Sequence, residues 1–346
     1  MARRFWLSVL FVCFGLLASA QPNQLETGIA LSQKGNHDGA KKVFLEIISK
    51  TPSDLEAKLE LSRELMYLGE WTECFRYCKE LIAQKKDTSI QRKTYVTYGT
   101  ALDASGDKKG AVRAYKKGIV EYPGYYLLPF NLGVTYYVMG KKEDATEQFM
   151  RSARLNPSHA SSAFFLALVM EERKNRIASV LALMRFLILE QKGSRSIIAL
   201  GGLLQKLEGN VSRSGENQVN ITVEPGQLDK KGEDNFASVD LFLSLTVATQ
   251  MGNDGEKRSG ADRLIAEINT LCSSLETNRS GQKGFFWQNY APFFIELMKS
   301  GHAETISYIF LSYASDPAND VIQWVSDNKE KIESFFVWES NYRWPK

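Results

Sequence analysis

A spacing of 34 residues recurs through the first half of the chain, and it restricts the fold more than any other feature. Counted from Tyr126, positions seven, eight, eleven, fifteen, twenty, twenty-four and thirty-two are Leu132, Gly133, Tyr136, Gly140, Ala145, Phe149 and Pro157. Counted from Arg92 they are Tyr98, Gly99, Leu102, Gly106, Ala111, Tyr115 and Pro123. From Gln21 they are Thr27, Gly28, Leu31, Gly35, Ala40, Phe44 and Pro52, and from Leu55 they are Leu61, Ser62, Leu65, Gly69, Cys74, Cys78 and Lys86. The second and third units are separated by a three-residue insertion, Ser89 to Gln91.

Each position has a physical task. Small residues at positions eight and twenty let two helices approach closely, and larger ones at seven, eleven and twenty-four fill the space between them. The glycine at fifteen stops the first helix in a turn that needs positive φ. The proline at thirty-two ends the second helix, because its ring cannot continue the hydrogen-bond ladder. A single hairpin leaves one apolar face bare, so neighbouring hairpins must stack.

This pattern resembles the tetratricopeptide repeat, a 34-residue pair of antiparallel helices. The resemblance covers Gln21 to His159 as four units, 21–54, 55–88, 92–125 and 126–159. It implies an all-α fold, a right-handed superhelical α-solenoid. Residues 160–207 read as a degenerate further unit, in which Lys174 replaces the turn glycine and Gln191 the proline. Its apolar run from Val180 to Leu189 suits burial on several sides.

Residues 208–235 are polar and rich in turn formers. Their charge and glycine content favour a loop or linker, and the alternation of Val219, Ile221 and Val223 leaves a short hairpin as the alternative. Residues 236–346 return to helical patterns, and Gly301 and Pro317 echo the repeat, so further irregular helical hairpins are expected there. The aromatic tail, with Trp324, Phe335, Phe336, Trp338 and Trp344, reads as a helix that caps the last hairpin.

The first twenty residues read as a secretory signal peptide. Arg3 and Arg4 precede an apolar run from Phe5 to Leu17, and Ala18-Ser19-Ala20 offers a small-residue cleavage site. The run is shorter than the roughly 20 residues that cross a bilayer, and Cys13 lies inside it rather than at the cleavage point of a lipoprotein. The expected product is exported and unanchored, periplasmic or outer-membrane-associated in a Gram-negative bacterium. The Ser-Ala-Gln at the cleavage point is similar to exported proteins of the Bacteroidetes.

Removing Arg3 and Arg4 from the 43 basic residues leaves 41 against 40 acidic ones, a net +1, which does not favour nucleic acid. No later segment reaches membrane-spanning length. Cys74, Cys78 and Cys272 remain after processing, an odd set that does not suggest a disulfide framework. Cys74 and Cys78 fall on interior positions of the repeat and lack the third ligand a tetrahedral metal site needs, so they read as core. The histidines are His37, His159 and His302. With no HExxH, no phosphate loop and no GxSxG, the chain is expected to be neither an enzyme nor a cofactor carrier.

The expected function is therefore a protein-protein interaction scaffold of the cell envelope. In the family this chain resembles, positions two, five, six, nine, twelve and thirteen of each first helix face a bound peptide or partner helix. Carried over, the resemblance implies Glu56, Leu59, Glu60, Arg63, Met66 and Tyr67 in the second unit. In the third it implies Lys93, Val96, Thr97, Thr100, Asp103 and Ala104, and in the fourth Leu127, Phe130, Asn131, Val134, Tyr137 and Val138. Phe130 and Tyr137 also admit a reading as packing against the next unit. Members that clamp the C-terminal carboxylate of cytosolic chaperones use a Lys/Asn/Asn/Lys/Arg set. Here those positions hold Leu59, Arg63, Thr97, Leu127 and Asn131, or Leu25, Ile29, Glu60, Lys93 and Thr97, so the charged fork is missing. The expected ligand is an extended segment or a helix of a protein in an envelope complex; the sequence leaves self-association open. Two alternatives stand beside this: an enzyme with an unrecognised site in the C-terminal half, and a eukaryotic secretory-pathway protein with sequons at Asn210, Asn220 and Asn278.

Overall fold

The fifteenth position organises the hairpins. The computed structural model describes residues 23–84, 87–215, 218–222, 233–252 and 260–345; the expected leader, Lys86 and Val223 lie outside them. Five helix pairs follow one another: α1 (Gln24–Gln33) with α2 (His37–Lys50), α3 (Leu55–Tyr67) with α4 (Trp71–Gln84), α5 (Thr88–Ala104) with α6 (Lys108–Glu121), α7 (Leu127–Val138) with α8 (Lys142–Leu155), and α9 (Ala160–Glu172) with α10 (Arg176–Leu189). Gly140, at φ 73°, turns α7 into α8, and the Lys141 N–H closes the turn on the Tyr136 carbonyl at 2.9 Å. The α9–α10 turn has no glycine, yet Lys174 takes φ 54° and the Asn175 N–H bonds the Met170 carbonyl at 2.9 Å. The degenerate unit thus keeps the turn through its backbone bonds and places an L side chain in the left-handed region. Asn36, Asp107 and Asn175 then start α2, α6 and α10 by accepting the N–H three residues on.

The chain forms two compact units, one ending at Ala101 and one beginning at Leu102. The boundary lies within α5, whereas the sequence suggests divisions near 159, 207 and 235.

In the first unit the helices meet through paired small and large residues. A Cβ on Gly28 would stand 2.5 Å from the Phe44 ring, so the ring occupies the space a side chain would need. The second hairpin exchanges this pair: Ser62 replaces the glycine, the compact Cys78 replaces the phenylalanine, and the Cys74 thiol donates to the Ser62 carbonyl at 3.2 Å. All three cysteines are free and buried, which matches their reading as core. The expected insertion at Ser89–Gln91 is not a separate loop. Asp87 accepts the Ser89 and Ile90 N–H groups and starts α5 there, and Ile90 packs with Leu59 and Leu81.

In the second unit Gly133 faces Phe149, where a Cβ would lie 2.7 Å from the ring. Helix α10 is buried along its length, from Ile177 to Ile188, and is followed by α11 (Ser194–Glu208). The polar stretch beyond is not wholly a linker. Strand β1 (Val211–Gly215) pairs antiparallel with β2 (Gln218–Ile221), with Val211 opposite Ile221, and the hairpin packs on α12 (Ala237–Gly252). The alternation at Val219 and Ile221 is what forms this ladder.

Helix α13 (Gly260–Asn278) leads to a π-helical turn, Phe286–Tyr290, which runs into α14 (Ala291–Lys299). Pro292 has no N–H to give the Gln288 carbonyl, so the ladder widens there. Asp234 starts this segment: its Oδ1 accepts the Phe286 and Trp287 N–H groups at 2.8 and 3.1 Å. The approach is so close that a Cβ on Gly284 would meet Asp234 at 2.5 Å. Helices α15 (Ala303–Leu311), α16 (Asn319–Asp327) and α17 (Lys329–Asn341) complete the layer. Two arginines join it to α10. Arg176 donates to the Lys206 and Leu207 carbonyls at the end of α11 and pairs with Asp240 at 2.7 Å. Arg185, with no exposed surface, pairs with Glu339 of α17 at 2.8 Å.

Candidate functional site

The residues that face solvent on α3 form a single stripe. Glu56, Glu60, Arg63 and Tyr67 recur at helical spacing, while Ala57, Leu61, Ser62, Glu64 and Leu65 turn inward. Glu60 holds the Arg63 guanidinium at 2.6 Å. Tyr67, 61 % exposed, stacks on His37 with ring centres 4.6 Å apart. His37 in turn is fixed by a carboxylate that sequence reasoning missed: Glu64 reaches His37 Nδ1 at 2.7 Å and accepts the Ser32 hydroxyl at 2.7 Å. The available signal was an acid at an apolar-face position of α3, where a buried charge requires partners.

A serine, a histidine and a glutamate in contact invite a catalytic reading. Here both the hydroxyl and the imidazole turn to the same carboxylate, so no base faces the serine. The cluster instead ties the start of α2 and the end of α1 to α3, and it sets the Tyr67 ring against solvent.

Two expected groove residues do not face a ligand. Leu59 has no exposed surface and packs with Leu81 and Ile90, because position five looks toward the following helix. Thr97 on α5 is buried, and its hydroxyl donates to the Lys93 carbonyl at 3.2 Å. Lys93, Val96 and Thr100 remain partly accessible on the same helix.

In the second unit the expected residues are largely engaged by their neighbours. Asp103 pairs with Lys108 at 2.8 Å and accepts the Thr135 hydroxyl at 2.7 Å. Asn131 donates to the Leu127 carbonyl one turn back. Phe130 packs edge-on against His159 and Phe165 at 4.6 and 5.7 Å. Tyr137 donates to Glu172 at 2.6 Å, and that bond, aided by burial, pushes the phenol up to about 12. For Phe130 and Tyr137 the geometry is that of packing onto the next hairpin. Val134 is partly accessible, and Val138 stands 60 % exposed.

Among the described residues no His/Cys/Asp/Glu group has the arrangement of a metal site, and no helix is long and apolar enough to cross a membrane. Of the sequons, Asn210 donates to Asp240 and Asn278 to the Ser274 carbonyl, while Asn220 is exposed on β2.

No family model and no curated relative matches the chain. Among solved structures, it is similar to TTC0263, a thermophilic TPR protein in Thermus thermophilus, at 19 % identity over 54 % of this chain and 97 % of that one, with a TM-score of 0.44. The pilF protein of Pseudomonas aeruginosa aligns at 20 % identity over 53 % and 82 %, with a TM-score of 0.45, and MamA at 22 % over 47 % and 93 %, with 0.39. Likenesses of this size bear on fold alone; the repeat itself rests on the turns at Gly35, Gly69, Gly106 and Gly140 and on the closely packed pairs Gly28–Phe44 and Gly133–Phe149. In fold, the chain is a helical-repeat protein of tetratricopeptide type.

Proposed function

We propose that this chain is a non-enzymatic scaffold that binds an extended segment or helix of a partner protein on the first helices of its hairpins. The supporting observation is the α3 stripe. A mixed acidic, basic and aromatic face stays accessible on a helix otherwise committed to the core, and Tyr67 is held in place from behind by the His37–Glu64 bond. Tyrosine and arginine are the types that most often dominate interface energy. Lys93, Val96 and Thr100 extend the surface along α5, and the reading drops Leu59 and Thr97. The place of action belongs to the same proposal: outside the cytoplasm, in the envelope of a Gram-negative bacterium, after removal of the leader that Arg3, Arg4 and the Phe5–Leu17 run describe.

Crosslinking and capture of the tagged protein from its native envelope tests this, with wild type set against Arg63→Ala/Tyr67→Ala. The expected result is a partner held by the wild type and lost by the variant, with unchanged circular dichroism. A partner retained equally by both moves binding away from α3. N-terminal sequencing of the exported protein is expected to begin at Gln21, and an intact leader would overturn the assignment of export by cleavage.

A further inference from the structure

In an extended backbone, residues two apart point to the same side. The segment after α17 follows that rule. It leaves the helix at Tyr342, with φ −64° and ψ 129°, and Tyr342 and Trp344 both land on Phe293. Tyr342 meets that ring edge-on at 4.9 Å, and Trp344 stacks on it at 4.9 Å and 12°. Arg343 and Pro345 between and after them are exposed.

Beneath the segment lies a platform that other helices hold in place. Phe293 of α14 and Arg185 of α10 have no exposed surface. The guanidinium carbon of Arg185 lies 4.8 Å from the Phe293 ring centre and 4.6 Å from that of Trp344. Arg185 also donates to the Pro157 carbonyl through Nε and Nη2, at 3.3 and 3.2 Å. Its Nη1 is buried without a hydrogen-bond partner, which a sealed core seldom leaves. The cover is lighter than the platform: Tyr342 and Trp344 are only partly buried, and the Tyr342 N–H bond to the Glu339 carbonyl, 3.2 Å, belongs to the end of α17.

We propose that Arg185 and Phe293 form a recognition site for an extended Tyr-X-Trp segment. In this structure the chain's own Tyr342-Arg343-Trp344 fills it, and the same segment of a second copy of the chain can take its place. A guanidinium beside an aromatic face attracts an incoming indole through cation–π contact and stacking, and the two-residue spacing restricts the site to extended ligands.

The test uses full-length chain carrying Trp344→Ala, which vacates the platform, and a fluorescein-labelled Asn-Tyr-Arg-Trp-Pro peptide followed by anisotropy. Saturable binding is expected, roughly ten-fold or more tighter than to wild type, where the resident segment competes. The same peptide with alanine for tryptophan is expected not to bind. If Trp344→Ala does not fold, Trp344→Leu keeps an apolar group over Phe293 and is titrated in the same way. A folded variant that ignores the peptide overturns the proposal, as does binding that survives the loss of the peptide's tryptophan. Unfolding of both variants overturns it too, because a removable occupant cannot be what holds the fold together.

Discussion

Helices α8 and α10 have the same length and the same place as second helices of their hairpins, but they meet different surroundings. Helix α8 buries Ala145, Thr146, Phe149, Ser152 and Ala153 and gives its other sides to water, with Lys142, Glu143, Asp144 and Glu147 exposed. Helix α10 buries every residue from Ile177 to Ile188 and touches α9, α11, α12, α15 and the π turn. The repeat rule is the same in both, so the difference lies in what comes after. An inner hairpin needs one apolar face, whereas α10 serves as the post around which the C-terminal helices are built. Its two arginines show the cost of charge in such a place: each has a carboxylate and backbone carbonyls to itself.

The sharpest way to break this comparison is to remove the α10 charge. Arg185→Met leaves Glu339 without its partner and is expected to cost about 3–5 kcal/mol, while Arg154→Met on α8, where the guanidinium lies over Phe285 at 5.0 Å, is expected to cost under about 1 kcal/mol. Urea unfolding midpoints of the two variants check this, and equal effects would remove the distinction between the helices.

The covering layer carries a second signature, in its response to pH. Burial raises the Glu267 carboxyl of α13 from 4.5 to about 7, and the negative charge of Glu208 adds to the shift. Between these values the folded chain keeps a proton that the unfolded chain has released. Stability therefore falls as pH rises from 4.5 to 7 and is level above that window, by an amount on the order of 3 kcal/mol at most. Glu267→Gln is expected to flatten that slope when unfolding is measured across the range. A slope unchanged in the variant would assign it to other groups.

Two glycines test the packing side. Gly133→Leu forces a side chain into the Phe149 ring and is expected to destabilise by about 1–3 kcal/mol. Gly201 on α11 has open space around it, so Gly201→Ala is expected to stabilise by about 0.5–1 kcal/mol. Equal signs in thermal unfolding would show that helix propensity, not contact, governs both. The smallest effect is expected at the α9–α10 turn, where Lys174→Gly relieves a left-handed side chain and should raise stability by about 1 kcal/mol or less.

The regular hairpins were legible in the sequence because their constraints are local. A glycine at positive φ, a small residue facing a ring and a helix-ending proline each mark a fixed place in a 34-residue unit. What escaped depends on partners far along the chain. Leu59 and Thr97 sit at positions that face a ligand in the family pattern, but their own helices turn them toward neighbours. Tyr137 was readable as a groove residue until its bond to Glu172, 35 residues on, became visible. The link from Glu64 to His37 reverses this: an acid among Leu61, Ser62 and Leu65 signalled a missing partner, but not which one. The β1–β2 hairpin was present in the alternation at Val219 and Ile221, outweighed by a composition typical of linkers.

The π turn at Phe286–Tyr290 has a consequence for insertions and deletions. An α-helix advances about 100° per residue, and this turn holds one residue more than a regular one. It therefore sets the angular frame of everything after it on α14, including Phe293. Replacing a side chain in this stretch disturbs one contact, whereas deleting a single residue would rotate the two ends of the helix against each other by about 100° and carry Phe293 away from Trp344. The length of this segment, more than its composition, is what natural variants of the chain have to preserve.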